Sequence, residues 1–278
     1  MVVQEEIIMG VSLTKTEDQL TNEVMGKINL SKDKEKLEKH VVNLSKCVVN
    51  LSKKANVDLG GVKARVIAVL DYSGSMSGLY RKGVVQKTLN KLVPLGLTFD
   101  DNGEIEVYLF QNSYRKLDEM TVDNYSDYVN EVIEKSGYSM GGTEYAPVLR
   151  AIQNIHQPVI MSKAKGLLGG LFKKKATPVE EVSGDKDEII FVIFITDGDN
   201  SDMSETDEIV RELSKTKTFI QFIGVGDEKF KYLQKLDDLS GRAVDNTGFT
   251  RFKDISKVDD TELYEKVLEQ FADWLKVV

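Results

Sequence analysis

Asp71-Tyr72-Ser73-Gly74-Ser75 gathers one carboxylate and two serine hydroxyls within five residues, directly behind the apolar run Val66-Ile67-Ala68-Val69-Leu70. Short oxygen-bearing side chains of this kind suit a hard divalent cation, and Mg²⁺ in particular takes a few such ligands while keeping several waters. Two serines two residues apart can face the same way in an extended turn. A second apolar run, 191–195, ends in Thr196-Asp197-Gly198-Asp199-Asn200, and the segment Met140-Gly141-Gly142-Thr143-Glu144 offers a hydroxyl beside glycines that allow close backbone approach. These three segments are expected to converge on one cation held by Asp71, Ser73, Ser75, Thr143 and Asp197. Mg²⁺ is the first expectation, with Mn²⁺ or Ca²⁺ as alternatives, because ligand type does not choose among them and no Cys or His cluster offers a zinc site.

Each group also has a plainer reading. The Asp-Ser-Ser segment can be a turn whose side chains satisfy loop backbone, and Thr143 can cap a helix that has Glu144 in its first turn. Asp199 or Asp202 can share or replace the role of Asp197. Glu144 reads as a surface residue, Tyr72 and Tyr80 as packing residues, and His40 as a surface or boundary residue. Enzymatic readings meet specific objections. A dehalogenase-type phosphatase needs a second Asp where Ser73 stands, no GxxxxGK[ST] pattern occurs, and Gly224-Val225-Gly226 lacks the third glycine of a dinucleotide loop. With only His40 and His156, a Ser-His-Asp arrangement is not expected. The reading is a binding protein and no enzyme.

Positioning these loops requires strands that end at one edge. The uninterrupted apolar runs at 66–70 and 189–195 read as strands buried on both faces, as in a parallel sheet. Further strands are expected at 104–110 and 219–225, with helices at 81–92, 124–135, 145–155, 205–214, 229–236 and 260–276. Strands alternating with helices predict an α/β fold: a Rossmann-like, open, mostly parallel sheet with helices on both faces. Ligands in such sheets bind beyond the carboxyl ends of the strands, where all three loops fall.

Upstream, Leu37, Val41, Leu44, Val48 and Leu51 step by four and three, one stripe of an amphipathic helix over 33–54. VVNLSK occurs at 41–46 and again at 48–53, a heptad offset too short to argue for a coiled coil. The expected organisation is a segment of unassigned role at 1–32, the helix and a linker at 33–59, and the main domain at 60–278. An insertion at about 160–186 interrupts it, with KGLLGGLFKKK at 165–175 as a minor candidate for membrane-surface contact. The 278 residues are 41% hydrophobic and carry a net charge of −8, which argues against a nucleic-acid partner. The lone Cys47 excludes an internal disulfide. A start without a basic leader, and no apolar run of membrane-spanning length, lead to a cytoplasmic expectation.

The order Asp-x-Ser-x-Ser, Gly-Gly-Thr, Thr-Asp-Gly on these elements resembles the metal-ion-dependent adhesion site of von Willebrand factor A domains, over about residues 62–278. The resemblance implies that the serines and Thr143 bind metal directly, that Asp71 and Asp197 bind directly or through water, and that an open position accepts an acidic side chain from a protein partner. DYSGSMSGLYRKGVVQ, LVPLGLTFDDNGEIEVYLF, FITDGDNSD and FIGVGDEKF are similar to the bacterial von Willebrand A proteins of tellurite-resistance and chemical-stress operons, the TerF-like group. MGVSLTK at 9–15 resembles the first residues of their calcium-binding companions. A role in assembling bacterial or phage stress-response complexes is thereby implied. The alternative is a structural or self-assembling scaffold whose 33–54 helix makes the contacts while the metal only stiffens loops.

Overall fold

The computed structural model describes residues 15–28, 34–157 and 187–278. The insertion expected at about 160–186, with the membrane-contact candidate inside it, lies outside them, as do residues 1–14 and 29–33. Six strands form one sheet in the order β3-β2-β1-β4-β5-β6. They are β1 (Ala64–Asp71), β2 (Glu106–Phe110), β3 (Tyr114–Lys116), β4 (Ile189–Thr196), β5 (Thr218–Val225) and β6 (Thr247–Phe252). Every pairing is parallel except β2 with β3, an antiparallel edge.

The period of two along a strand sends alternate side chains to opposite faces. Val66, Ala68 and Leu70 of β1, with Phe191, Ile193 and Ile195 of β4, enter one core. Ile67 and Val69, with Ile190, Val192 and Phe194, enter the other. The first face is covered by α4 (Val84–Phe99) and α8 (Asp260–Trp274), the second by α5 (Ala146–His156), α6 (Met203–Leu213) and α7 (Lys231–Asp237). A short α3 (Ser77–Arg81) precedes α4. Both faces need cover, which is why β1 and β4 are continuously apolar.

Two N-terminal helices extend the first face. α2 (Lys34–Ala55) packs on α4 and α8 and buries Leu37, Val41, Leu44, Val48 and Leu51, the stripe its sequence announces. His40 Nδ1 lies 2.7 Å from Asp260 Oδ2, and Asn43 Nδ2 donates to the same oxygen, so α2 is tied to the first turn of α8. α1 (Glu17–Lys27) starts at a capping box formed by Thr16 and Gln19. Lys27 Nζ donates to the carbonyls of Leu97 and Asp100 at the C-terminus of α4, where a cation meets the negative end of the helix.

Several expected elements differ. The helix expected at 81–92 is two, because Gly83 takes φ 68° between α3 and α4. The stretch 124–135 is a chain of short turns, 3-10 at Tyr125–Asp127 and Glu134–Ser136 with a π turn at Val129–Ile133 between them. α1, β3 and β6 were not anticipated.

Candidate metal site

β1 and β4 are neighbours in register, Leu70 beside Ile195, so the loops that leave them start side by side. Asp71 is fully buried and directs one carboxylate oxygen, Oδ1, to the backbone N–H of Ser73 at 2.7 Å. The other oxygen, Oδ2, accepts from Thr196 Oγ1 at 2.6 Å across the two strands. Ser73 Oγ and Ser75 Oγ are 3.0 Å apart, and Ser75 Oγ donates to Asp197 Oδ1 at 2.8 Å. Four of the five expected residues thus form one hydrogen-bonded chain, its Asp71–Ser73 link passing through the Ser73 backbone N–H. Tyr80, buried beneath them, donates its hydroxyl to the carbonyl of Asp71, and Tyr72 meets Tyr80 edge-on.

The fifth arrives on the third loop. Ser73 and Gly141 form a parallel bridge, and Gly74 N donates to Gly141 O at 3.0 Å. A Cβ at Gly141 would lie 2.5 Å from Gln111 Oε1 and one at Gly142 2.7 Å from Asn112 Nδ2, so a larger residue at either position would displace those side-chain amides. Thr143 follows, half-buried, its carbonyl accepting from Ser201 N at 2.9 Å. Thr143 does not cap α5, which begins three residues later; the acceptors for that helix come from Asp202, whose two oxygens take Tyr145 N and Ala146 N at 2.9 and 2.8 Å. With both oxygens so engaged, Asp202 does not replace Asp197, and Asp199 is exposed and accepts only weakly from Tyr232 N at 3.4 Å. Glu144 accepts from Asn112 Nδ2 at 2.9 Å, a loop tie.

The electrostatics leave this group of donors short of positive charge. Burial pushes the Asp71 carboxyl up to about 6, against hydrogen bonds from Ser73 and Thr196. Burial also raises Asp197, opposed by Ser75 and reinforced by the nearby Glu228. No lysine or arginine among the described residues pairs with either carboxylate. Two acids and three hydroxyls without a basic neighbour fit a hard divalent cation, the missing counter-charge. Among the described residues no group of three His, Cys, Asp or Glu side chains is spaced to hold a metal, which follows from hydroxyls being the majority of this donor set.

Sequence reasoning missed two contributors. Thr196 orients Asp71 while Tyr145 donates to Thr196 Oγ1 at 3.3 Å, and Asp202 joins two loops. Thr196 stands in the motif itself, at the carboxyl end of β4, and that position was the available signal. His156, which has no acidic partner nearby in sequence, sits at the opposite end of the sheet with Nε2 3.3 Å from Glu106 Oε2. That carboxylate also pairs with Lys116 and Arg65, so the histidine belongs to a structural cluster.

Three relatives set this geometry in context. The chain is 32% identical over 217 residues to protein YcbR of Bacillus subtilis, covering 77% of this chain and 79% of that one. Copine-E of Dictyostelium discoideum is 32% identical over 95 residues, which span 34% of this chain and 16% of that protein. Among solved structures, proximal thread matrix protein 1 of the mussel byssus aligns with a TM-score of 0.50 at 17% identity, covering 76% of this chain and 48% of that one, so this chain spans about half of its length. The family model for the von Willebrand A domain found at TerF C termini matches residues 63–165 and 174–278. The chain therefore belongs to the von Willebrand A family, within its TerF-like group.

Proposed function

We propose that this chain is a divalent-cation-dependent protein-binding module. Asp71, Ser73, Ser75, Thr143 and Asp197 hold one cation, Mg²⁺ first and Mn²⁺ or Ca²⁺ as alternatives, and an open coordination position takes an acidic side chain from a partner protein. The observation that carries this reading is the hydrogen-bonded chain from Thr196 through Asp71, Ser73 and Ser75 to Asp197, which links two carboxylates neither of which pairs with a lysine or arginine among the described residues. The cation supplies charge and a coordination site; the protein supplies a fixed set of oxygens at the sheet edge where ligands of open α/β sheets bind. The organisation that goes with it is a main domain at 60–278 with an insertion at about 160–186, preceded by a helical extension. Family membership supports a setting in bacterial or phage chemical-stress or tellurite-resistance complexes inside the cell, with no catalytic step.

The scaffold alternative relies on the 33–54 helix for contacts between molecules. The apolar stripe of α2 is instead spent on its own domain, against α4 and α8, which favours the cation reading. Among the described residues no helix is long and apolar enough to cross a membrane. The direct test is calorimetric titration of Mg²⁺ into the wild type and into the Asp71→Ala, Ser73→Ala double variant. One site in the wild type and none in the variant is expected; equal heats in both would remove the site. Co-purified partners should leave the resin in chelator and return on addition of Mg²⁺.

A further inference from the structure

Asp202 ends the loop after β4 and stands at the N-cap position of α6, yet its side chain does not cap that helix. It reaches across to α5, accepting from Tyr145 N and Ala146 N, residues 57 and 56 positions away. The residue at the N-cap of α5, Tyr145, makes no side-chain cap of its own. A carboxylate here satisfies donors that helix geometry leaves over and meets the positive end of the helix. Asp202 is itself held: Asn200 Nδ2 donates to it, and Thr206 Oγ1 lies 3.3 Å from Oδ1. Beside it, Ser201 N and Ser201 Oγ both donate to the carbonyl of Thr143, at 2.9 and 3.2 Å.

Thr143 is thus held through its own carbonyl and by backbone anchors on both sides: Gly142 N donates to Asn112 Oδ1 at 2.7 Å and Glu144 N to the carbonyl of Gln111 at 2.8 Å. Two residues before Thr143, Gly141 is bridged to the Ser73 loop; two residues after it, Tyr145 is held by Asp202. The Thr143 hydroxyl makes no hydrogen bond of its own among the described residues, so backbone anchoring alone sets where it stands. We propose that Asp202 is a positioning residue of the cation site, which presents Thr143 to the ion without touching the ion itself. The inference rests on the cation-binding reading above. Ordering a ligand before the ion arrives removes that cost from binding, and loss of such outer partners typically weakens metal affinity by roughly 10- to 100-fold.

The test titrates Mn²⁺ into the full chain and follows the free ion by electron paramagnetic resonance, for the wild type, Asp202→Ala, Asp202→Asn and Glu106→Gln. Glu106→Gln disturbs a buried carboxylate at the far end of the sheet and serves as the destabilised control. Asp202→Ala is expected to bind about tenfold more weakly. Asp202→Asn should fall between, since its amide keeps one acceptor oxygen, and Glu106→Gln should stay within about twofold of the wild type. Without metal, the Tyr145 and Ala146 amides should be protected from hydrogen exchange in the wild type and in Glu106→Gln, and released in Asp202→Ala. Faster exchange with unchanged Mn²⁺ affinity would overturn the positioning role alone, as would an equal loss of affinity in the control. A wild type that binds no Mn²⁺ would overturn the cation reading and this inference with it. If Asp202→Ala does not fold, Asp202→Asn carries both comparisons.

Discussion

Asp71 and Glu106 are both buried carboxylates, and their neighbours give them opposite characters. Asp71 meets only hydroxyl and amide donors, so burial dominates and raises it. For Glu106 burial acts in the same direction, but His156 and Lys116 outweigh it and hold the carboxyl at about 2. A folded-state value below the ordinary 4.5 means that the ionised form stabilises the fold. That contribution is complete above about pH 4.5 and disappears as pH falls toward 2. Glu106→Gln should therefore cost on the order of 3 kcal/mol near pH 7, leaving Lys116 without its counter-charge and Arg65 with Glu188 alone, and little at pH 2. Urea unfolding across that range checks it; an equal cost at pH 2 and pH 7 would refute the ion-pair explanation. At the proposed metal site, Thr143→Ala and Asp197→Ala should weaken Mg²⁺ binding in calorimetry while preserving the wild-type far-ultraviolet circular dichroism, because neither side chain is packed in a core. Asp71, Ser73 and Ser75 were legible in sequence because they are contiguous and follow an apolar run. The work of Thr196 and Asp202 was less so, since each acts on a residue more than fifty positions away.

At the level of elements, legibility follows burial. β1 and β4 are central and covered on both faces, so their sequences are continuously apolar and readable. β6 carries Gly248, Thr250 and Arg251 and forms an edge, and β3 is three exposed residues; neither leaves a hydrophobic pattern. α1 is short and buries only Leu20 and Val24 along its length, too few to show a period. α2 is readable because it covers two helices at once. Leu44 is fully buried there, so Leu44→Ala should destabilise the protein by about 2–5 kcal/mol in chemical denaturation. Its effect on Mg²⁺ affinity in the folded protein should be negligible, since α2 packs on α4 and α8 and supplies no donor to the site. A variant that keeps full stability would mean that α2 is peripheral to the fold. A folded variant that loses its metal would mean that the helix couples to the loops.

Across the whole molecule, the proposed cation loops and the boundaries of the expected insertion fall at opposite ends of the sheet. The proposed cation loops leave the carboxyl ends of β1 and β4. Gln157 and Asp187, the described residues that flank the insertion, lie at the other end, where Gln157 Nε2 donates to the carbonyl of Glu188 just before β4 begins. The eight residues of β4 at about 3.3 Å each put roughly 25 Å between that end and Thr196. Because Gln157 and Glu188 are in contact, a few residues suffice to close the gap. Replacing 160–186 with a short glycine-serine linker should leave the melting temperature unchanged or slightly raised, since a shorter loop lowers the closure cost by about 1 kcal/mol. Mg²⁺ affinity should stay within about twofold of the wild type, the site being too distant to couple through packing. A fall in melting temperature of more than about 10 °C would mean that Leu167, Leu168, Leu171 or Phe172 contributes to the core. If the shortened protein binds Mg²⁺ normally and yet releases a partner that the full chain retains, that partner makes a second contact at the insertion end. Recognition would then span both ends of the sheet, with the cation serving only one of them.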